Sequence, residues 1–396
     1  MTGAKTLIAS LLVVSSCSGA DGERVLVRAV SERTGAPFAD VRVQVDEEAW
    51  QTTDAAGEAS FADISAPFVV RLHETSNGWD NVVVLEGRTG TEVVVEISGP
   101  GPTQFHSAGA SGTIAGRAGA SPDSIVRVGF APLKDWSASL DASPDDSFDV
   151  GVTWREPATQ TAATFALHAW ESDTAAPPDH YYGFARSSPL SFVENETISD
   201  VTLSLEAVEE RTVEATVSLP AGAERSDQIT RLWLSYAPYE QLTLVSDFFP
   251  PESFSIVVPS VPDAEAWLGV WANTRWHLRR IDLASTTVSL APPAYPELLA
   301  PAEGATLSGS PLFRWTPIEP DGTSTLFVSC SSPDTLSGTT FLITRDPAEA
   351  TEATLPTIPD VEIPATATCG WSVYWCAATD PSEQRCSWSL ERAIAP

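Results

Sequence analysis

Apolar residues along this chain alternate with polar ones over short stretches, which is the period of a strand with one buried face. Val41, Val43 and Val45, for example, alternate with Arg42 and Gln44. These stretches are rich in Val, Thr, Phe and Trp, and clusters of Gly, Pro, Asp and Ser typical of turns separate them. No stretch keeps the helical period over about three turns. The pattern therefore predicts an all-β chain from residue 23 to its end.

The first predicted unit covers residues 23–98. Its candidate strands are Val25–Val30, Val41–Val45, Ala59–Phe61, Phe68–His73, Val82–Leu85 and Glu92–Ile97. A turn feeding a strand at Gly35–Val41 and a strand–turn–strand motif at Thr53–Phe61 together resemble the carboxypeptidase-regulatory-like (prealbumin-like) β-sandwich of bacterial surface proteins. The resemblance implies a structural or interactive module. Residues 23–98 lack the His-x-x-Glu pair that a zinc peptidase would need.

Residues 99–111, rich in Gly, Pro and Ser, are predicted to be a linker. Two further units, 112–207 and 208–292, are predicted to be sandwiches of similar topology to the first, because four segments recur in the same order. The recurring pairs are Ile125–Pro132 with Thr230–Pro238, Asp146–Val150 with Glu252–Ile256, Thr164–Trp170 with Ala266–Ala272, and Ile198–Leu205 with Ser285–Leu290. Chance similarity between unrelated β-domains is the alternative.

The last predicted unit covers residues 293–396. Its opening, Pro301–Leu307 followed by Pro311–Trp315, resembles that of a fibronectin type III or related immunoglobulin-like domain. The resemblance implies that Trp315 lies in the core of a sandwich. Later candidate strands are Thr325–Cys330, Thr339–Thr344, Cys369–Ala377 and Cys386–Arg392.

The N-terminus predicts export. Lys5 precedes an apolar stretch, Leu7–Val14, which is much shorter than the roughly 20 residues of a membrane span, so residues 1–16 are predicted to be a cleaved signal peptide. Val14-Ser15-Ser16-Cys17 resembles the bacterial lipobox. That resemblance implies lipidation of Cys17, with residues 17–22 as its tether. By resemblance to the lipoprotein sorting rule, Ser18 favours the outer membrane. An ordinary secretory peptide with a chance cysteine is the alternative.

The charge narrows the class of partner. Among 396 residues, 22 are basic and 53 acidic, for a net charge of −31. Such a chain repels phosphate backbones and anionic lipid headgroups, so nucleic acid is excluded as a partner. We expect contact with a membrane through the lipid, and with other envelope proteins or glycans. The oligomeric state is unknown from the sequence.

Four of the five cysteines, Cys330, Cys369, Cys376 and Cys386, lie in the last predicted unit. An even number in an exported protein predicts two disulfides. If Cys330 ends one strand and Cys369 begins its antiparallel neighbour, the two meet, and Cys376 and Cys386 then close the last hairpin. We therefore favour the pairs Cys330–Cys369 and Cys376–Cys386 over the two other pairings. The sequence has no Cys-x-x-Cys motif for a zinc site.

No catalytic motif is recognisable. The phosphate-binding loop, the dinucleotide fingerprint and the Gly-x-Ser-x-Gly elbow are all missing from the sequence, and the histidines occur singly. We predict a non-catalytic envelope protein with a structural, adhesive or protein-interaction role and no cofactor. A hydrolase with carboxylates that the sequence does not place is one alternative.

Two clusters are candidate ligand sites. Asp141, Asp145, Asp146 and Asp149 form the densest acidic stretch, which is a weak candidate for Ca²⁺, although a solvated turn is favoured. Trp267, Trp271, Trp371 and Trp375 are candidate sugar-stacking aromatics, which makes a carbohydrate-binding lipoprotein the other functional alternative. Trp371 and Trp375 are four positions apart, which places both on one face of a strand. That spacing is also typical of a buried core face, and core packing is favoured. Solvent exposure of these tryptophans distinguishes the two hypotheses.

Overall fold

The computed structural model describes most of the chain from residue 23 onward. The described residues are 23–31, 35–76, 79–97, 103–117, 124–130, 141–143, 146–157, 161–237, 240–282, 284–306, 311–319, 322–332, 337–345, 351–361, 363, 366–377 and 382–395. Regular structure in them is nearly all β, and their one helical element is a 3-10 turn at Arg225–Asp227. The all-β fold class is confirmed. Within these ranges, no helix is long and apolar enough to span a bilayer.

The described residues divide into two compact units. One contains those of Met1–Gly101, Pro293–Thr379 and Cys386–Pro396. The other contains those of Pro102–Pro292 and Asp380–Arg385. The first unit therefore combines segments from the two ends of the sequence.

The earliest sandwich belongs to the first unit. Its strands are β1 (Glu23–Ser31), β2 (Arg42–Val45), β3 (Gln51–Thr52), β4 (Glu58–Ile64), β5 (Phe68–Ser76), β6 (Trp79–Arg88) and β7 (Glu92–Ile97). β1 lies between antiparallel β4 and parallel β7, and β3-β2-β5-β6 form the opposing sheet. Val41, Val43 and Val45 are completely buried between the sheets, which confirms the predicted one-sided burial.

The second sandwich belongs to the other unit. Its strands are β8 (Thr103–Ala115), β9 (Ser124–Phe130), β10 (Asp141–Ser143), β11 (Ser147–Pro157), β12 (Ala162–Phe165), β13 (Leu167–Asp173), β14 (Tyr181–Arg186), β15 (Leu190–Val193) and β16 (Thr197–Ser204). β8 lies between antiparallel β11 and parallel β16, and β10-β9-β13-β14 form a second sheet. A short β12–β15 pair is additional.

The predicted linker at 99–111 requires correction, because β8 begins at Thr103. One glycine of this stretch lies where two strands pack closely. A Cβ on Gly109 would lie 2.7 Å from Oγ1 of Thr197 in β16. Glycine fits there because it leaves room for the threonine side chain of the neighbouring strand.

The third sandwich follows in the same unit. Its strands are β17 (Glu209–Val217), β18 (Gln228–Ala237), β19 (Glu240–Phe248), β20 (Ser253–Ser260), β21 (Glu265–Ala272), β22 (Arg275–Arg280) and β23 (Thr287–Leu290). β17 lies between antiparallel β20 and parallel β23, and β19-β18-β21-β22 form the other sheet of this sandwich.

The first three sandwiches therefore share one topology. Each has a first strand flanked by one antiparallel and one parallel partner, and each opposes these three strands with a four-stranded antiparallel sheet. The sequence repeats follow this topology, since the recurring segments lie in β9 and β18, β11 and β20, β13 and β21, and β16 and β23. Equivalent positions for all four segments favour a true repeat over chance similarity.

The last sandwich belongs to the first unit. Its strands are β24 (Leu298–Ala300), β25 (Leu312–Trp315), β26 (Thr323–Ser331), β27 (Gly338–Arg345), β28 (Glu352–Thr354), β29 (Thr368–Ala377), β30 (Glu383–Trp388) and β31 (Arg392–Ile394). Trp315 is buried in its core, as predicted. The stretch Cys386–Arg392, predicted as one strand, is divided between the end of β30 and the start of β31.

Both predicted disulfides are confirmed. Cys330 and Cys369 face each other in the antiparallel register of β26 and β29, and their sulfurs are bonded. Cys376 and Cys386 are bonded 10 positions apart in sequence, near the ends of β29 and β30. The strand pairing therefore brings Cys330 to Cys369 and Cys376 to Cys386, and not to the cysteines of the two alternative pairings.

The earliest and last sandwiches share a sheet. β6 and β27 pair in parallel over eight residue pairs, from Trp79 opposite Gly338 to Glu86 opposite Arg345. The two edge strands thereby join two sheets into the order β30-β29-β26-β27-β6-β5-β2-β3. An ion pair between Arg345 and Glu86, 2.5 Å long, lies at the end of this junction.

Candidate functional site

Two of the four candidate tryptophans are core residues. Trp371 and Trp375 in β29 are 0% and 1% exposed. The Trp371 ring packs edge-on against Phe313, with ring centroids 5.2 Å apart. Rings buried on both sides have no face available for a sugar, so these two residues are not part of a stacking platform.

Trp267 and Trp271 are less buried than Trp371 and Trp375. Both are half-buried residues of β21, whereas Leu268 and Val270, which lie between them in sequence, are completely buried in the core. Because neighbouring residues in a strand point to opposite faces, the two tryptophans lie on the outer face of the sheet. The core-packing interpretation therefore fails for this pair.

Two more tryptophans complete this outer surface. Trp233 in β18, 7% exposed, is directly opposite Trp267, and Trp276 in β22, 4% exposed, is directly opposite Trp271. The Trp233 and Trp267 rings are parallel to within 10°, with centroids 6.4 Å apart. The Trp271 centroid lies 5.8 Å from that of Trp233, with the rings inclined at 50°. We call these four residues the tryptophan face.

Gly269 shapes this surface. A Cβ at this position would lie 2.7 Å from Leu278 Cδ2 and 2.8 Å from Cη2 and Cζ3 of Trp233. The absence of a side chain in β21 therefore lets the Trp233 ring lie against the strand backbone. Aromatic residues across from a strand glycine commonly fill its place in this way.

Charged groups border the tryptophan face. The Arg231 guanidinium carbon lies 5.2 Å from the centroid of the Trp271 ring, a cation–π contact. Arg280, opposite Trp267 in the register, forms an ion pair with Glu265 at 2.7 Å. The surface therefore combines ring faces with hydrogen-bonding groups at its edges.

Sequence reasoning missed Trp233. The signal was present, since Leu232 and Leu234 on either side of it are core positions and a tryptophan between them falls on the other face. Its pairing with Trp267 depends on the β18–β21 register, which local alternation does not encode.

Each of the five histidines approaches a carboxylate. The pairs are His73–Asp80, His106–Glu194, His168–Glu240, His180–Glu210 and His277–Glu383, at N···O distances of 2.9, 3.2, 3.4, 2.7 and 3.0 Å. No residue belongs to more than one of these five pairs.

The His168–Glu240 pair belongs to a polar cluster joining the second and third sandwiches. Arg186 Nη2 donates to both Glu240 oxygens, at 2.8 and 2.9 Å, and the Arg186 guanidinium carbon lies 4.8 Å from the Tyr236 ring centroid. Burial lowers the pKa of His168, while hydrogen bonds from His168 and Arg186 lower the pKa of Glu240. A neutral imidazole between an ion pair and a tyrosine ring is suited to holding the sandwiches together.

The tautomer of His277 follows from its partners. Its Nδ1 accepts the backbone N–H of Ala291 at 2.7 Å, so the neutral ring carries its proton on Nε2, which faces Glu383. Burial lowers the pKa of His277 to about 4, assisted by the positive charges of Arg385 and Arg279.

The His73 pair does not have the geometry of a nucleophile–base–acid triad. A triad places the acid and the hydroxyl on opposite ring nitrogens. Here Asp80 and the Thr75 hydroxyl both contact Nε2, at 2.9 and 3.3 Å, while Nδ1 faces Arg42 Nη1 at 3.4 Å. The arrangement fits a structural pair between strands.

The structure describes only part of the acidic stretch proposed for Ca²⁺. Asp141 lies in β10 and Asp149 is an exposed residue of β11, in different sheets, and Asp145 lies outside the described residues. Asp146 Oδ1 lies 3.5 Å from Arg117 Nη1. Across the described residues, no group of three or more His, Cys, Asp or Glu side chains is placed to hold a metal ion. Cys17 and the predicted signal peptide also lie outside the described residues.

No family model and no curated protein matches the chain. Similar solved structures include the Bacillus anthracis TIE protein, with 11% identity and a TM-score of 0.17 over 68% of this chain and 50% of that one. They also include the minor pilin GBS52 of Streptococcus agalactiae (12% identity, TM-score 0.17, 47% of this chain and 97% of that one) and the shaft pilin SpaA of Lactobacillus rhamnosus GG (11%, 0.15, 48% and 99%). This chain thus spans about half the length of the TIE protein. Such TM-scores do not establish a shared fold, so the fold class follows from the sheets described above.

Proposed function

We propose that this chain is a non-catalytic lipoprotein of the cell envelope. Its signal peptide would be removed and Cys17 lipidated, most simply at the outer membrane, and tandem β-sandwiches would serve structural, adhesive or protein-interaction roles. In this proposal the first sandwich is of the carboxypeptidase-regulatory-like kind and the last is of the fibronectin type III or immunoglobulin-like kind. No cofactor enters the proposal.

The observation that carries the proposal is the pair of disulfides on a chain of repeated sandwiches. Disulfides form and persist in oxidising compartments, which supports export independently of the N-terminal sequence. Three sandwiches of one topology provide reach and surface. The histidine–carboxylate pairs, the usual starting point for acid–base catalysis, are separate and contribute to packing instead.

The anchor is tested by fractionation. The full chain with its own leader, expressed in a diderm bacterium, is expected in the outer-membrane fraction, and its N-terminal peptide should carry the mass of attached acyl chains. Cys17→Ser should release the protein from membranes, because several acyl chains provide the anchoring. Ser16→Ala, which keeps a small residue before the cysteine, is the matched control and should remain anchored. A Cys17→Ser protein still found with membranes would refute lipid anchoring.

Surface display is tested separately. Protease added to intact cells should degrade an outward-facing chain, whereas a periplasmic chain should be degraded only after the outer membrane is permeabilised. Either result is compatible with the envelope; recovery of the mature chain from the cytoplasm with free thiols would contradict the proposal. The full chain should also show no turnover of envelope glycans or peptides, and sustained hydrolysis abolished by one carboxylate substitution would favour the hydrolase alternative.

A further inference from the structure

We propose that the tryptophan face binds an uncharged, pyranose-based glycan by stacking. This site goes beyond the envelope role and does not depend on the anchor at Cys17, so the two proposals can fail separately. The first step is that the core of the third sandwich does not account for Trp267 and Trp271, which are half-buried on the outer face. The core of the third sandwich closes on the other side of the sheet, through Leu232, Leu268 and Val270, all completely buried.

The second step is the orientation of the rings. Trp233 and Trp267 are stacked, parallel to within 10° with centroids 6.4 Å apart, so Trp233, only 7% exposed, supports the Trp267 ring from one side. Gly269 makes room for Trp233 against the strand backbone. The face of an indole is electron-rich and attracts the weakly positive C–H groups on the apolar side of a pyranose. Trp267 and Trp271, both half-buried, provide the accessible part of the surface.

The third step is the polar border. Sugar hydroxyls need donors and acceptors beside the stacking rings, since binding sites combine apolar walls with a few well-placed polar groups. Arg280 and Glu265, 2.7 Å apart next to Trp267, provide both kinds of group without adding net charge. Arg231 lies over Trp271 at the other end of the surface.

The fourth step is the choice among ligands that stack on aromatic residues. Single-stranded nucleic acid also uses aromatic rings and arginines. The chain carries a net charge of −31, however, which repels phosphodiesters and anionic lipids. An uncharged glycan gains the stacking energy without this electrostatic cost. That difference identifies a neutral pyranose polymer as the occupant.

The test titrates the full chain with neutral hexasaccharides of glucose, mannose, galactose and N-acetylglucosamine. A hexauronate and single-stranded DNA serve as anionic comparisons. We expect at least one neutral hexasaccharide to change tryptophan fluorescence and to bind by calorimetry, and neither anionic probe to do so. Trp267→Ala and Trp271→Ala should each weaken the affinity by about tenfold, as expected for loss of one stacking ring. Phe105→Ala, which truncates a 58% exposed aromatic in β8 of the second sandwich, is the matched control and should bind normally.

Three further variants keep the test decisive. If an alanine variant fails to fold, Trp267→Phe and Trp271→Phe keep an aromatic face and should retain part of the affinity. Gly269→Ala should displace the Trp233 ring and weaken binding while circular dichroism still shows a folded sandwich. Absence of binding to every neutral probe, or equal binding by the Trp267→Ala/Trp271→Ala double variant, would overturn the proposal. Binding that requires the tryptophans but is confined to the hexauronate or DNA would overturn the choice of ligand.

Discussion

At the scale of single residues, ionisable side chains in the sandwiches are kept neutral or paired, and His277 shows this most clearly. Its pKa of about 4 in the folded protein compares with an ordinary value of 6.5, so the unfolded chain binds a proton more readily. The contribution of His277 to the free energy of unfolding is therefore fully present above about pH 6.5. It decreases as the pH falls toward 4 and does not change further below that.

We expect the third sandwich to lose up to about 3 kcal/mol of unfolding free energy through His277 between neutral pH and pH 4. Urea titrations across this range measure the loss. His277→Gln does not titrate and should flatten this part of the pH dependence. His180→Gln is the comparison variant. Glu210 raises the pKa of His180, so protonation of His180 stabilises the folded protein as the pH falls, and removing it should make the decline in stability steeper instead of flatter. An unchanged slope in His277→Gln would contradict the assignment.

The tryptophans make a second residue-scale prediction. Trp371→Ala should destabilise the protein by about 3–5 kcal/mol, because it empties a fully buried position beside Phe313. Trp267→Ala, on the half-buried outer face, should cost much less, about 1 kcal/mol. Thermal and denaturant unfolding of the two variants measures the difference. Equal losses would mean that Trp267 is a core residue after all.

At the scale of elements, the two disulfides close loops of different size. The sequence separations are 39 for Cys330–Cys369 and 10 for Cys376–Cys386. Loop-closure entropy predicts losses of about 4 and about 3 kcal/mol when each pair is replaced by alanine. Unfolding of each double variant tests the order. Intact mass with and without reductant should differ by four protons in the wild type, and an unchanged mass would refute both bonds.

The elements also show what local sequence can and cannot predict. Strands such as β2 were predictable because Val41, Val43 and Val45 report burial by alternation alone. The start of β8 was missed because Gly109 looks like a linker residue in the sequence, whereas in the sheet it makes room for Thr197, 88 positions away in the numbering. Only part of the tryptophan face was predicted. Trp267 and Trp271 were identified because they share a strand, whereas Trp233 lies beside them only through the register of β18 and β21.

At the scale of the whole molecule, the junction of β6 with β27 makes the earliest and last sandwiches parts of one unit. β6 contributes to two cores: Val83 and Leu85 pack in the first sandwich, whereas Val82 and Val84 pack in the last. Its continuous apolar run is typical of a strand buried on both faces. Leu342 of β27, a strand of the last sandwich, in turn packs against the core of the first sandwich.

The shared strand predicts that damage in the first sandwich reaches the last one. Leu85→Ala should cost about 2–5 kcal/mol and reduce the hydrogen-exchange protection of β26 and β27, since Leu85 packs in the core of the first sandwich while its strand pairs with β27. Val94→Ala, at a 37% exposed position of β7, is the matched control and should change stability by less than about 0.5 kcal/mol. The diagnostic readout is location. If Leu85→Ala reduced protection only within residues 23–97, the two sandwiches would unfold independently and β6–β27 pairing would not couple them. If protection is lost in β26 and β27, more than 230 positions away in the numbering, the ends of the sequence form one cooperative unit.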